Sequence, residues 1–443
     1  LVTQKTVPTA TSLESPQYSV PDENLVPVND YPTRMANIPP SRMFLIKSAL
    51  NAYKAKAGAD APTFDASQGD GGASLPGAPR EILQQAFELQ LKQGTGYDQP
   101  WGTPRFRKAA AENYWHLDAA SGWGPENIVF VQGGRDGLIK AYEAMIHLGT
   151  GRMGDVLVVS RVPWITYNWG PYGIGLNVLQ AAGSADDGWR YTPEAIREAA
   201  AFAERSGRKV AGLVITSPDN PTGRTIPLEE QITLARAALD SGYGFVLFDW
   251  IYHWITDGGP SDINVILQAF SPEDRERLIF LDGLTKSLGA SNIRSAHILA
   301  GKKVVDFMTS RASHGVIPAF FSQAVAIAAY EMGFGEAAKS IIEPCRESRR
   351  ILRGILEEKN AHFIMGDGGY YAFIDCTPYI EKGGLKNSEE LLKHVAENFG
   401  VAIVPGMYFS DAGLNWVRFS YALPPEKTEK AGLRLFEGME ALA

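Results

Sequence analysis

The chain has 443 residues, too many for one simple core, which suggests two domains or one elaborate α/β unit. Its 45% hydrophobic and 21% charged residues are ordinary for a globular protein, and a formal charge of −8 leaves no basic footprint for nucleic acid. No apolar run reaches the roughly 18 residues that span a bilayer, and the two cysteines, Cys345 and Cys376, read as structural thiols rather than a disulfide framework or a metal site.

Residues 1–40 are rich in Pro, Thr, Ser and Asn, lack both a helical period and a basic-then-apolar leader, and read as an extended arm. Residues 43–53 space their apolar side chains at helical intervals, and 64–72 are glycine-rich. An amphipathic helix is predicted over 79–93, with Pro79 near its start and Gly94 at its end. A strand over 127–131 runs into Gln132-Gly133-Gly134-Arg135 and a helical stretch to Leu148. Glycines between a strand and a helix start leave backbone N–H groups that hold an anion, aided by the positive helix end. A strand over 155–160 precedes Pro163-Trp164-Ile165-Thr166-Tyr167, in which Tyr167 reads as a packing residue.

A capped helix over 192–206, a strand over 209–216, a helix over 227–241 and strands over 243–249, 277–281 and 296–300 come next. This alternation predicts an α/β fold with a mostly parallel central sheet between helices, and ligands at the carboxyl ends of its strands. From Phe320 the pattern changes to a helical region up to 359, a strand over 370–374, a helix over 388–399, strands over 401–404 and 416–422, and a last helix from Pro425. Together with the segment near residue 44, these predict a smaller α+β domain. The expected division is an arm over 1–40, a first part of the small domain over 41–75, a large domain over 76–318 and the rest of the small domain over 319–443.

Four ordered stretches carry chemistry. Thr216-Ser217-Pro218-Asp219-Asn220-Pro221-Thr222-Gly223 closes a strand in a Pro/Gly turn. Phe245-Val246-Leu247-Phe248-Asp249-Trp250-Ile251-Tyr252 ends a strand on a carboxylate with a tyrosine three residues on. Phe280-Leu281-Asp282-Gly283-Leu284-Thr285-Lys286-Ser287 presents one lysine after a strand, with Arg294 eight positions later (294 − 286 = 8). Trp416-Val417-Arg418-Phe419-Ser420-Tyr421-Ala422 holds an arginine in mid-strand. In this order, over residues 65 to 440, the chain resembles the fold-type I, class I/II aminotransferase family of pyridoxal 5'-phosphate (PLP) enzymes.

That resemblance implies a role for each residue. Lys286 would form the Schiff base with PLP and then move the substrate's proton. Asp249 would keep the ring nitrogen protonated. Asn220 and Tyr252 would donate to the phenolic oxygen, with Asn220 also among the substrate contacts. Arg294, the backbone of Gly134 and Arg135, and the Thr285 hydroxyl would hold the phosphate, which asks for multidentate donors. Trp164 would stack on the ring. Arg418 would grip the substrate α-carboxylate by a bidentate fork. Tyr97, in Tyr97-Asp98-Gln99-Pro100-Trp101-Gly102-Thr103-Pro104-Arg105-Phe106-Arg107, would reach the phosphate in a neighbouring subunit, which makes a homodimer the expected state. Two positions depart from the family pattern: Gly283 stands where serine is usual and Ala296 where glycine is usual.

The expected activity is cytoplasmic transfer of an amino group from an amino acid to a 2-oxo acid, by way of pyridoxamine phosphate. The same constellation also supports oxidases, cyclases, γ-replacement and C–C bond formation on amino acids, because the fold does not fix the reaction. The many Trp and Tyr residues lean the substrate toward aromatic or bulky side chains. A PLP-sensing regulator would need a DNA-binding partner domain, and the arm has neither a helix-turn-helix pattern nor a basic patch.

Overall fold

The computed structural model describes residues 40–150 and 152–442, so the arm predicted over 1–40 lies, but for its last residue, outside the described residues. The strands are β1 (Phe64–Asp65), β2 (Ile128–Val131), β3 (Val156–Val159), β4 (Asn177–Gln180), β5 (Val210–Thr216), β6 (Phe245–Asp249), β7 (Leu278–Gly283), β8 (Ala296–Ala300), β9 (Phe363–Ile364), β10 (Tyr371–Asp375), β11 (Val401–Ala402), β12 (Val404–Pro405) and β13 (Trp416–Ser420).

Strands β2 to β8 form one sheet in the order β2-β8-β7-β6-β5-β3-β4. Every residue in them is buried, as expected for a sheet covered on both faces. Alternate side chains separate into two apolar layers. Phe130, Val158, Ile215, Phe248 and Phe280 pack with the helices Arg80–Gln93, Pro193–Arg205, Leu228–Asp240 and Phe320–Met332. Val131, Val159, Val214, Leu247 and Leu281 pack with Gly134–Ala144 and Lys302–Ser313 on the other face. Pairs β7–β6, β6–β5, β5–β3 and β3–β4 are parallel, whereas β8 runs against both β7 and β2. The link between β7 and β8, residues 284–295, holds one helical turn at Leu284–Ser287 and another at Ser291–Ile293. With no crossover helix in that link, the chain returns antiparallel.

A second core gathers Ile46, Leu352, Ile355, Phe373, Leu391, Val395, Val417, Phe419, Leu435 and Phe436 around the antiparallel sheet β12-β13-β10-β9 and the parallel pair β1–β11. Its helices are Phe44–Ala57, Lys339–Glu358, Ser388–Phe399 and Pro425–Glu440. Between these cores, Ala324–Ala329 and Phe334 belong with the seven-stranded sheet, so its apolar core extends past residue 318.

Two local readings differ from the sequence expectation, and one strand had none. The helical region over 320–359 breaks at Gly333, whose φ of 96° only glycine adopts readily, and again at Ala338, into Phe320–Met332, Phe334–Ala337 and Lys339–Glu358. The strand expected over 401–404 divides because Val401–Ala402 pairs with β1 and Val404–Pro405 with β13. Strand β4 lacks an apolar pattern at its ends: Asn177 Nδ2 donates to the carbonyl of Gly154 at 2.7 Å and Gln180 Nε2 to Asn168 Oδ1 at 3.0 Å, bonds that let polar side chains be buried in an edge strand.

Candidate active site

Strands β5, β6 and β7 are neighbours and parallel, so the turns after them emerge on one side of the sheet. Asn220 lies in the turn after β5, Asp249 is the last residue of β6, and Lys286 sits in the single helical turn after β7. Asp249 is buried, with Oδ2 accepting from the Tyr167 hydroxyl at 2.5 Å and Oδ1 from the Ile251 amide at 3.2 Å. Thr216 Oγ1 donates to the same Tyr167 oxygen at 3.1 Å. Burial pushes the Asp249 carboxyl up to about 6, against the pull of those hydrogen bonds. Burial likewise holds the Lys286 amine below the usual lysine range. Lys286 Nζ donates to the carbonyl of Gly69 and stands 5.7 Å from the centre of the Tyr252 ring.

A second group of side chains faces these from the small sheet. Arg418, mid-strand in β13, is buried and donates from Nη1 to Asn220 Oδ1 and from Nη2 to the carbonyl of Ser67, both at 2.8 Å. Its guanidinium lies 4.2 Å from the centre of the Tyr371 ring and 5.3 Å from that of Phe409, while its buried Nε has no partner. Among the described residues, neutral groups alone meet this buried charge by hydrogen bond. Tyr371 OH stands 2.9 Å from Tyr252 OH, and a Cβ on Gly69 would come within 2.5 Å of it.

The glycine turn after β2 is built as the sequence suggests. Gly133, with φ 84°, precedes the helix Gly134–Ala144. Arg294 lies beside it, donating to the carbonyls of Ser291 at 2.9 Å and Gln132 at 3.4 Å. A Cβ on Gly133 would fall 2.5 Å from the Arg294 guanidinium and displace it, and the positive φ itself favours glycine here. Arg135 is exposed, its guanidinium 5.5 Å from the centre of the half-buried Trp164 ring. The Thr285 hydroxyl is buried without a partner.

Comparison with known proteins decides the family. The sequence matches Aminotransferase class I and II over residues 64–435. Aspartate aminotransferase from Geobacillus stearothermophilus is 24% identical, over 93% of this chain and 99% of the relative. Aspartate/prephenate aminotransferase from Thermus thermophilus is 28% identical over 79% of this chain and 85% of that protein. A solved Thermus thermophilus aspartate aminotransferase double mutant has the same fold, with a TM-score of 0.76 and 24% identity over 90% of this chain and 97% of its own.

The chain belongs to the class I and II aminotransferase family. It is an aminotransferase, with the fold-type I architecture of these structures. In this aminotransferase Lys286, Asp249, Asn220, Tyr252 and Arg418 converge, with Trp164 joined to them through Tyr167, whose ring it meets edge-on at 5.3 Å. Arg294, Gly134 and Arg135 gather at the head of one helix. Tyr97 is not brought to this site and is 95% exposed in the single chain. Sequence reading makes Tyr167 a packing residue, whereas it is bonded to Asp249. It leads the glycine-rich 64–72 backbone toward the substrate side and counts Tyr371 among the surrounding aromatics, but gives Tyr371, Gly69 and Ser67 no role in the site. The glycines near residue 69 were a usable signal, since backbone stripped of side chains allows close approach.

The two departures lie side by side. Gly283 pairs with Ala296 across β7 and β8, and a Cβ at 283 would sit 2.5 Å from Ala296 Cα and 2.6 Å from its Cβ. Two of the three close atoms are backbone, Ala296 Cα and Ser295 O, so a serine side chain at 283 is crowded whichever small residue stands at 296.

Proposed function

We propose that this aminotransferase holds pyridoxal 5'-phosphate on Lys286, Asp249, Asn220, Tyr252, Trp164, Arg294, Thr285 and the backbone of Gly134 and Arg135, and takes the amino acid carboxylate on Arg418. When bound, the cofactor supplies an aldehyde for amine exchange and an electron-withdrawing ring that spreads the charge left by the departing α-proton. The donor set fits such a group. Asp249 is a buried carboxylate that no lysine or arginine among the described residues ion-pairs, Thr285 Oγ1 is a buried hydroxyl awaiting an acceptor, and Arg294 and Gly133 form a cradle at a helix N-terminus suited to a dianion.

The observation that carries the reading is the buried Asp249 at the strand end facing Lys286. Asp249 would hold a proton-bearing ring nitrogen, and Tyr167 and Thr216 fix its carboxylate for that. Lys286, its amine brought closer to neutrality by burial, would take the α-proton and return it elsewhere. Arg418 would orient the substrate by its carboxylate through the unpartnered Nε and a neighbouring Nη. Asn220 commits its carbonyl oxygen to Arg418, so its amide nitrogen is the end left to donate.

We further infer a homodimer in which Tyr97 serves the partner's site; its exposure, with that of Phe87 and Leu91 on one helix face, supports this. A cytoplasmic location accords with two buried free thiols, Cys345 and Cys376. The relatives named for aspartate and prephenate make aspartate the first donor to try, with aromatic amino acids beside it. Purified protein loaded with the cofactor is expected to show a visible chromophore that borohydride fixes on Lys286, and to form a 2-oxo acid from a donor amino acid. Lys286→Ala should abolish both; a variant that still turns over would refute the assignment.

A further inference from the structure

On the face of the sheet opposite Asp249 lies a buried polar cluster that the reaction as described does not use. Asp249 pairs with Leu281 across β6 and β7, so the next residue, Asp282, projects to the other face. Its carboxylate is fully buried, accepts from the Tyr114 hydroxyl and from the Gly283 amide, both at 2.6 Å, and lies against His253 Nδ1, which also meets the Trp250 carbonyl at 3.0 Å. His253 directly succeeds Tyr252 in the turn after β6, and its ring lies flat on Trp115, centroids 5.4 Å apart and planes at 8°. Trp115 Nε1 in turn donates to His297 Nε2 at 2.7 Å. Burial holds His297 down to about 3, so it is neutral, carries its proton on Nδ1 and offers it to Tyr330 OH at 3.1 Å.

Asp282 stands four residues before Lys286 (286 − 282 = 4), at the end of the strand that leads into the lysine turn. His253 stands one residue after Tyr252. Their contact therefore joins the two chain turns that carry the amine and the phenol of the site. Tyr252 is also held by its hydroxyl contact with Tyr371 and by the rings of Tyr370 and Tyr371 packed at 5.3 and 5.7 Å, and the Trp250 amide ties the start of its turn to the Leu281 carbonyl of β7 at 2.9 Å. The His253–Asp282 contact adds the side-chain link between the two segments. A fully buried carboxylate is costly to keep where an apolar side chain would pack as well, and its retention is explained when it fixes position.

We propose that His253 and Asp282 form a positioning pair that sets the Tyr252 hydroxyl against the Lys286 amine. The proposal rests on the reading that Lys286 carries the cofactor. It makes neither residue catalytic, since neither faces the substrate side of the sheet.

The test compares the parent protein, His253→Phe, His253→Asn and Asp282→Asn, each loaded with pyridoxal 5'-phosphate. The readouts are the midpoint of the pH titration of the bound chromophore, and kcat and KM for the best donor. His253→Phe is expected to move the midpoint by roughly half a pH unit and lower kcat about tenfold, with KM within about twofold. Asparagine places an amide nitrogen where Nδ1 stood, so His253→Asn should restore both. A folded His253→Phe protein with the parental midpoint overturns the proposal, as does a shift that His253→Asn fails to reverse. Should His253→Phe not fold, Asp282→Asn decides by the same titration, and an unmoved midpoint overturns it. If the parent itself shows no chromophore trapped on Lys286, it is the reading of Lys286 that has failed.

Discussion

Asp249 carries two opposed demands, and pH separates them. Its carboxyl is raised from 3.8 to about 6 by burial, so the folded apoprotein binds that proton more tightly than the unfolded chain does. The resulting advantage is full below pH 3.8 and is lost as pH rises through about 6. Asp249→Asn removes the titration and keeps an oxygen for Tyr167. The apoprotein of this variant is expected to be more stable than the parent at pH 8 by on the order of 1–3 kcal/mol, the gain fading toward pH 4. Denaturant melts of both apoproteins at the two pH values check this, and a gain independent of pH would contradict it. Turnover of the loaded variant should fall at least about a hundredfold, a stability gain made at the expense of function. At this scale Asp249, Lys286, Asn220 and Arg418 stand out in the sequence because the four ordered stretches that hold them, each in or just past an apolar strand, together resemble the family's motifs. Tyr167 was invisible as a partner of Asp249, since 82 residues separate them and the fold alone joins them. Tyr371 was hidden among other aromatic residues for the same reason.

Strands β5, β6, β7 and β8 were legible to within two or three residues because both faces are buried and the apolar runs are nearly unbroken. Edge strand β4 was not, because its terminal Asn and Gln are satisfied by partners that appear only in the fold. The direction of β8 was not legible either, since it depends on a short link rather than on the strand's own pattern. The β7–β8 contact makes a prediction of its own. Gly283→Ser supplies the hydroxyl usual in the family, yet it forces a Cβ to within 2.5 Å of Ala296 Cα. Overpacking of this kind costs about 1–3 kcal/mol, so the variant should lose stability without gaining cofactor affinity. Adding Ala296→Gly removes the Cβ contact at 2.6 Å but leaves the Cα at 2.5 Å and Ser295 O at 2.6 Å, so the double variant should recover only a small part of the loss. Thermal melts of the two single variants and the double variant measure the coupling, and strict additivity would show that the contact is not shared.

For the whole molecule, the question is whether one chain holds a complete site. Two cores, one around the seven-stranded sheet and one around β12-β13-β10-β9, supply facing walls, and Arg418 bonded to Asn220 ties one wall to the other. Tyr97, 95% exposed, belongs to neither core. If it completes a second subunit's site, two crippled proteins should repair each other. In a heterodimer of Lys286→Ala and Tyr97→Ala subunits, one site lacks both groups while the other has its own Lys286 and the intact Tyr97 of its companion. Random reassortment of an equal mixture puts half the dimers in this state, each with one good site of two, so activity should rise to about a quarter of the parental value. Were Tyr97 to act within its own subunit, each site of the heterodimer would lack one group and mixing would add nothing. The comparison needs subunits exchanged under mild denaturation and assayed against each variant treated alone, which separates a shared site from simple recovery of folding.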